Sequence, residues 1–202
     1  MKKGKIIITG TGRAGTTFLV VLLTRLGFNT GYKPYIEDFN ETIRAGCEYK
    51  LFSSNLQQQQ KLLKNKPRIL KHPKFCQKLD HLLNKKLITV DHIIVPIRNI
   101  KDASKSRLKA HRRWRIKGLQ TQEQVLTWAL GKITETAFTH NIPITYLKYP
   151  KLIQDPEYCF TKLNPIFNFN QKKFFKVYHQ LAGAKKIKQK ISLLRKIIYK
   201  LF

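Results

Sequence analysis

The sequence predicts a three-layer α/β fold, a parallel central sheet with helices on both faces. Three observations carry this. Short apolar runs rich in β-branched residues recur along the chain, at Lys5–Thr9, Ile69–Lys71, His92–Pro96 and Ile144–Leu147. Segments with helical periodicity stand between them. Strands that alternate with helices pair in parallel, because each crossover returns the chain to the same end of the sheet. The length of 202 residues fits one domain with a sizeable core.

The elements follow in order. Lys5–Thr9 reads as a buried strand. Thr16–Leu26 is apolar on all faces, so it reads as a buried helix. Gln57–Gln60, the one low-complexity patch, is expected on an exposed helix. Ile69–Lys71 is a short strand ended by Pro73, and Phe75–Asn84 is a helix. His92–Pro96 is a strand by its β-branched residues. Ile100–Arg115 and Gln122–His140 have helical periodicity. Ile144–Leu147 is a strand after Pro143. Pro156–Leu163 starts a helix with proline at its first position, capped by Asp155. In such folds ligands bind at the carboxyl ends of the strands.

The charge is far from ordinary. Lys and Arg number 40 against 11 Asp and Glu, a net +29, with a pI near 10.3. Such a field favours an anionic partner, whether nucleotide, nucleic acid, glycan or acidic lipid. Compositional bias toward lysine is the plain alternative. Hydrophobic residues make up 42%, too many for a disordered chain. The three cysteines, Cys47, Cys76 and Cys159, have no paired spacing, which points to a reducing compartment and a cytoplasmic protein. The apolar run after Met1-Lys2-Lys3 is too short for a signal peptide. The tail 185–202 places Ile187, Ile191, Leu194, Ile198 and Leu201 on one helical face with seven Lys or Arg around it. This basic amphipathic helix packs on the domain, lies on an acidic inner-membrane surface or docks on a protein. The expected organisation is one domain over 1–202, with this helix at its end.

The stretch "TGTGRAGTTFLVVLL" carries the first site. A strand, a glycine turn and a helix start form an anion site, because backbone N–H groups point out of the helix N-terminus along its dipole. Gly10, Gly12 and Gly15 permit the turn, and Thr16 and Thr17 add hydroxyls. Against the triphosphate-binding pattern G-x-x-x-x-G-K-[ST], Thr16 stands where lysine is required. The nearest cation is Arg13, inside the loop. The strand His92–Pro96 leads to Arg98 where a metal-holding carboxylate would be sought. Both features weigh against an ordinary ATPase or kinase and against a metal.

"GRAGTTF" resembles the 5′-phosphosulfate loop of the P-loop sulfotransferases, often [KR]-S-G-T-T-[FWL]. Ala14 stands where that family has serine. "PIRNIKDASKSRLKA" resembles the family's second motif. There an arginine at a strand end and a serine eight residues later bind the 3′-phosphate, and Arg98 and Ser106 have that spacing. "PRILKHPKF" is similar to the family's central segment, which implies that Lys71 lies near the bridging oxygen. "PITYLKYPKLIQDPE" is similar to its late strand and turn. The likeness spans roughly residues 5–165 and is closer to the bacterial and carbohydrate- or protein-directed branches, since the K-G-x-x-G loop of the cytosolic branch is absent.

The resemblance implies a sulfotransferase fold and the donor 3′-phosphoadenosine 5′-phosphosulfate (PAPS). It implies a donor site made of Gly12, Arg13, Ala14, Gly15, Thr16, Thr17, Arg98 and Ser106, with Arg13 and Lys71 stabilising the leaving oxygen. The acceptor hydroxyl or amine must also lose a proton. Glu48 is the first candidate base, with Glu37 and His72 as alternatives; Asp38 and Glu41 lie in the same interval. The acceptor is a glycan, a lipid or a small molecule. The basic run Lys105–Lys117, with Trp114 inside it, lines the entrance for an anion or binds nucleic acid. Two other functions remain at this level: a P-loop kinase of a small molecule, and a non-catalytic binder of nucleic acid or acidic membrane.

Overall fold

A computed structural model of the protein describes residues 4–33, 47–49, 51–53, 55–110 and 119–183. Four strands form one parallel sheet: β1 (Lys5–Ile8), β2 (Ile69–Lys71), β3 (Val90–Ile97) and β4 (Ile144–Lys148), in the order β2-β1-β3-β4. Every neighbouring pair is parallel, with Ile8 opposite both Lys71 and Ile94. All four strand C-termini therefore open on one edge. The chain leaves β1 for one neighbour, β2, and returns to its other neighbour, β3. That makes the β1/β3 boundary the topological switch point, where a crevice forms.

The strands are buried on both sides, as a sheet between two helical layers requires. Their alternation sorts the side chains. Ile6, Ile8, Ile69, Ile94 and Leu147 face one core cluster, and Ile7, Leu70, Ile93 and Val95 face the other. On the first face pack α1 (Thr16–Leu26), α7 (Pro156–Phe167) and a helix α8 over 171–183, with α6 (Lys151–Gln154) at its edge. On the second pack α2 (Leu56–Lys64), α3 (Phe75–Asn84) and α5 (Leu119–Thr139). Helix α4 (Ile100–Ala110) packs along α5. Each fully buried Ile or Leu contributes roughly 1.5–3 kcal/mol, so this two-sided burial is what holds the strand ends in register.

The predicted α/β architecture is present. The helix Thr16–Leu26 and the strand Ile69–Lys71 have the expected bounds, as does the helix Phe75–Asn84. Strand β3 is longer than His92–Pro96 because parallel pairing to β1 and β4 extends it at both ends. The expected glutamine helix is present within α2, with Gln57, Gln58 and Gln60 exposed, and one residue departs from the expectation. Gln59 is buried at 3% exposure. Its Nε2 donates to the Leu51 carbonyl, and its Oε1 accepts from the Ser53 N–H at 2.8 Å. A glutamine patch reads as polar in sequence, but one amide here closes the backbone bonds of a neighbouring extended segment. The predicted C-terminal helix, the end of the Lys105–Lys117 run, and Glu37, Asp38, Glu41 and His111 lie outside the described residues. Among the described residues no helix is long and apolar enough to cross a membrane.

Candidate functional site at the switch point

The loop Thr9–Gly15 leaves β1 and enters α1. Its backbone is left-handed at Gly10, Gly12, Arg13 and Gly15, with φ 136, 70, 58 and 91. Two glycines are required by space as well as by φ. A Cβ on Gly10 would stand 3.0 Å from the Pro96 carbonyl oxygen, and one on Gly15 would stand 3.2 Å from Leu152 Cδ2. Around Gly12 a Cβ would meet nothing within 4 Å, so the loop's crest is open. Gly15 is the N-cap of α1 and provides no side-chain cap. The first amides of a helix have no acceptor within the helix and point along its dipole, a geometry that suits an anion.

The motif after β3 meets this loop. Arg13 Nε donates to Ser106 Oγ at 3.2 Å, and Arg98 Nη1 reaches the Arg13 carbonyl at 3.4 Å. Residues 93 and 85 positions apart in sequence thereby form one cluster. The Arg98 guanidinium lies over the Tyr149 ring at 5.1 Å and makes no ion pair among the described residues. Tyr149 follows β4 and packs against Gly15. The sequence reading missed this tyrosine, because nothing in "KYPK" marks a stacking partner for a distant arginine.

Ala14 explains its own departure from serine. It is fully buried at 0% exposure. A hydroxyl there would need a partner inside the core. Thr16 is also buried, and Thr17 is half-buried. The loop is anchored from below. Thr9 Oγ1 donates to the His72 carbonyl at 3.0 Å and lies 3.2 Å from Cys76 Sγ. The His72 N–H in turn donates to the Ile8 carbonyl at 3.1 Å.

That anchoring brings the end of β2 to the loop. Lys71 points to the same face as Ile69 and Ile8, the face on which α1 packs. It is 5% exposed, and its Nζ donates to Glu48 Oε1 at 2.6 Å. A buried ammonium needs such a partner. His72 Nε2 lies 3.9 Å from Glu48 Oε2. Burial pushes the imidazole's pKa down despite the nearby carboxylate, so it is neutral at pH 7. Its Nδ1 accepts the Lys74 N–H at 3.0 Å, which leaves the proton on Nε2, facing Glu48. His72 therefore presents a donor to the carboxylate and no lone pair to an acceptor molecule. Cys47 and Tyr49 flank Glu48. Burial pushes the Cys47 thiol up to about 11, which makes it an inert neighbour rather than a nucleophile.

Two groups of side chains thus share one edge of the sheet. Arg13, Arg98 and Ser106 gather at the open loop, and Lys71, Glu48 and His72 gather at the end of β2. The donor set suits two phosphate groups: the backbone amides of a helix start for one, a guanidinium and a hydroxyl for the other. Among the described residues no three His, Cys, Asp or Glu side chains stand close enough to hold a metal ion.

No family model matches the chain, and no curated protein matches it in sequence. Among solved structures, the sulfotransferase domain from the Synechococcus PCC 7002 olefin synthase is similar over 83% of this chain and 72% of that one, at 16% identity and a TM-score of 0.48. At that identity and score, the functional reading rests on the geometry of the site.

Proposed function

We propose that the protein is a sulfotransferase that uses PAPS and transfers its sulfuryl group to a hydroxyl or amine. The observation that carries this reading is the meeting of the two motifs, Arg13 with Ser106 and Arg98 with the Arg13 backbone, around an open glycine loop. When bound, PAPS supplies a sulfuryl group activated by its 5′-phosphate. The amides of Gly12 to Thr17 bind the 5′ end. Arg98 and Ser106 hold the 3′-phosphate, and Arg13, turned toward Ser106, adds its charge to that clamp. Lys71 stabilises the charge that grows on the bridging oxygen as the S–O bond breaks. Glu48 takes the acceptor's proton as the new bond to sulfur forms, and the bisphosphate leaves. His72 turns its Nε2 toward Glu48 Oε2 at 3.9 Å and presents no second base there.

Lys71 and Glu48 form an ion pair. In this reading the ammonium shifts toward the incoming sulfuryl group, and the carboxylate it releases becomes the base. Isothermal titration with 3′-phosphoadenosine 5′-phosphate tests the assignment. Arg98→Ala is expected to weaken the bisphosphate by about 1.5–3 kcal/mol, or ten- to a hundredfold, the worth of a hydrogen bond to a charged group. Binding of 5′-AMP changes little. Equal losses for both ligands contradict the role of Arg98, and no binding of the bisphosphate by the wild type ends the sulfotransferase reading.

A further inference from the structure

A cavity of about 140 Å³ opens between α2 and α3, lined by Phe52, Ser53, Leu56, Gln59, Lys78, His81 and Leu82. An apolar cavity near 150 Å³ accommodates a benzene-sized group. Its wall is mostly apolar, and Leu56 is left 50% exposed there. Its polar floor is already satisfied. The Gln59 amide bonds Leu51 and Ser53, and Ser53 Oγ bonds Gln58 Oε1. A ligand in this space is asked for carbon rather than for hydrogen bonds. The rim differs: Lys78 and His81 are exposed, and Lys78 makes no ion pair among the described residues.

One wall connects the cavity to the proposed base. The Phe52 ring stands edge-on to His72, with centroids 4.9 Å apart, and His72 Nε2 lies 3.9 Å from Glu48 Oε2. Phe52 thus borders the cavity on one side and touches His72, the neighbour of the carboxylate, on the other. We propose that this cavity is the acceptor's distal subsite and takes an apolar ring that carries an acidic substituent, the ring against Phe52, Leu56 and Leu82 and the acid against Lys78. This rests on the sulfotransferase reading and narrows its acceptor to an apolar acid. An anionic sugar would leave the apolar wall uncovered and bring hydroxyls to a floor that has no free partner for them.

The probes are 4-hydroxyphenylacetate, the neutral 4-hydroxybenzyl alcohol and glucuronate, titrated against the full chain by ligand-observed NMR. The phenylacetate is expected to bind, and glucuronate to bind at least tenfold more weakly. Leu56→Trp fills the mouth from an exposed position and weakens the phenylacetate at least tenfold. Lys78→Glu weakens the phenylacetate about fivefold or more and leaves the alcohol unchanged. Tighter binding of glucuronate, or affinity unmoved by both variants, overturns the proposal. The bisphosphate is titrated in parallel and binds both variants as it does the wild type. Ring-acid binding that depends on Leu56 and Lys78, in a protein blind to the bisphosphate, keeps the cavity as a ring-acid site and rejects the enzymatic reading alone.

Discussion

Replacing Glu48 by glutamine separates stability from ligand binding. The Lys71 ammonium is 5% exposed and held at 2.6 Å by a carboxylate that is 25% exposed. Removing one partner of a buried pair costs about 3–5 kcal/mol, whereas an exposed pair is worth about 0–1. Glu48 is partly wet, and glutamine retains an acceptor oxygen for Lys71. A loss of about 2 kcal/mol is therefore expected, which for a chain of this length lowers Tm by about 4–8 °C. Binding moves the other way. One negative charge removed from beside an incoming anion is worth on the order of 1–2 kcal/mol at an effective dielectric near 20. Affinity for 3′-phosphoadenosine 5′-phosphate then rises about tenfold. The double variant Glu48→Gln, Lys71→Met removes the buried charge that has lost its carboxylate, so it recovers most of the Tm and loses the gain in affinity. The assays are thermal unfolding by circular dichroism and isothermal titration. A Glu48→Gln protein with wild-type Tm and wild-type affinity refutes both the pair's energetic role and its place beside the anion.

Other outcomes follow from the same geometry. Ala14→Ser, which restores the residue usual in the resembled family, destabilises the protein by about 1–3 kcal/mol, because the hydroxyl enters a fully buried position. It leaves bisphosphate affinity unimproved, and a titration showing tighter binding contradicts this. Stability falls as pH drops below about 6.5, the ordinary histidine value. Burial holds the folded pKa of His72 and His92 below it, so between the two values the unfolded chain binds more protons. His92→Gln removes one of these groups and shallows the slope of Tm between pH 7 and pH 5. An unchanged slope shows that His92 titrates alike in both states.

Much of the framework is legible in one dimension. Strand and helix identity came from apolar runs and their period, since both are local properties of side-chain spacing. The glycine turn was visible because left-handed backbone restricts residue choice, and the absent lysine was itself informative. The resemblance to the sulfotransferase motif singled out Arg98 and Ser106 together, and the structure brings both to Arg13.

The tertiary structure decided what spacing cannot express. Only parallel pairing of β1 with β2 sets Lys71 beside Ile8, and only the return of residues 47–49 lays Glu48 on that ammonium. Only packing shows that Ala14 is core, that Gln59 is an internal acceptor and donor, and that Tyr149 lies under Arg98. Glu48 and Lys71 are both charged, and in sequence each reads as solvated. Burial turns them into an obligatory pair, because the cost of a lone charge in a low dielectric rises far above anything local spacing encodes. The sequence by itself therefore determined the scaffold and the glycine loop. The three-dimensional fold decided which charges face one another there.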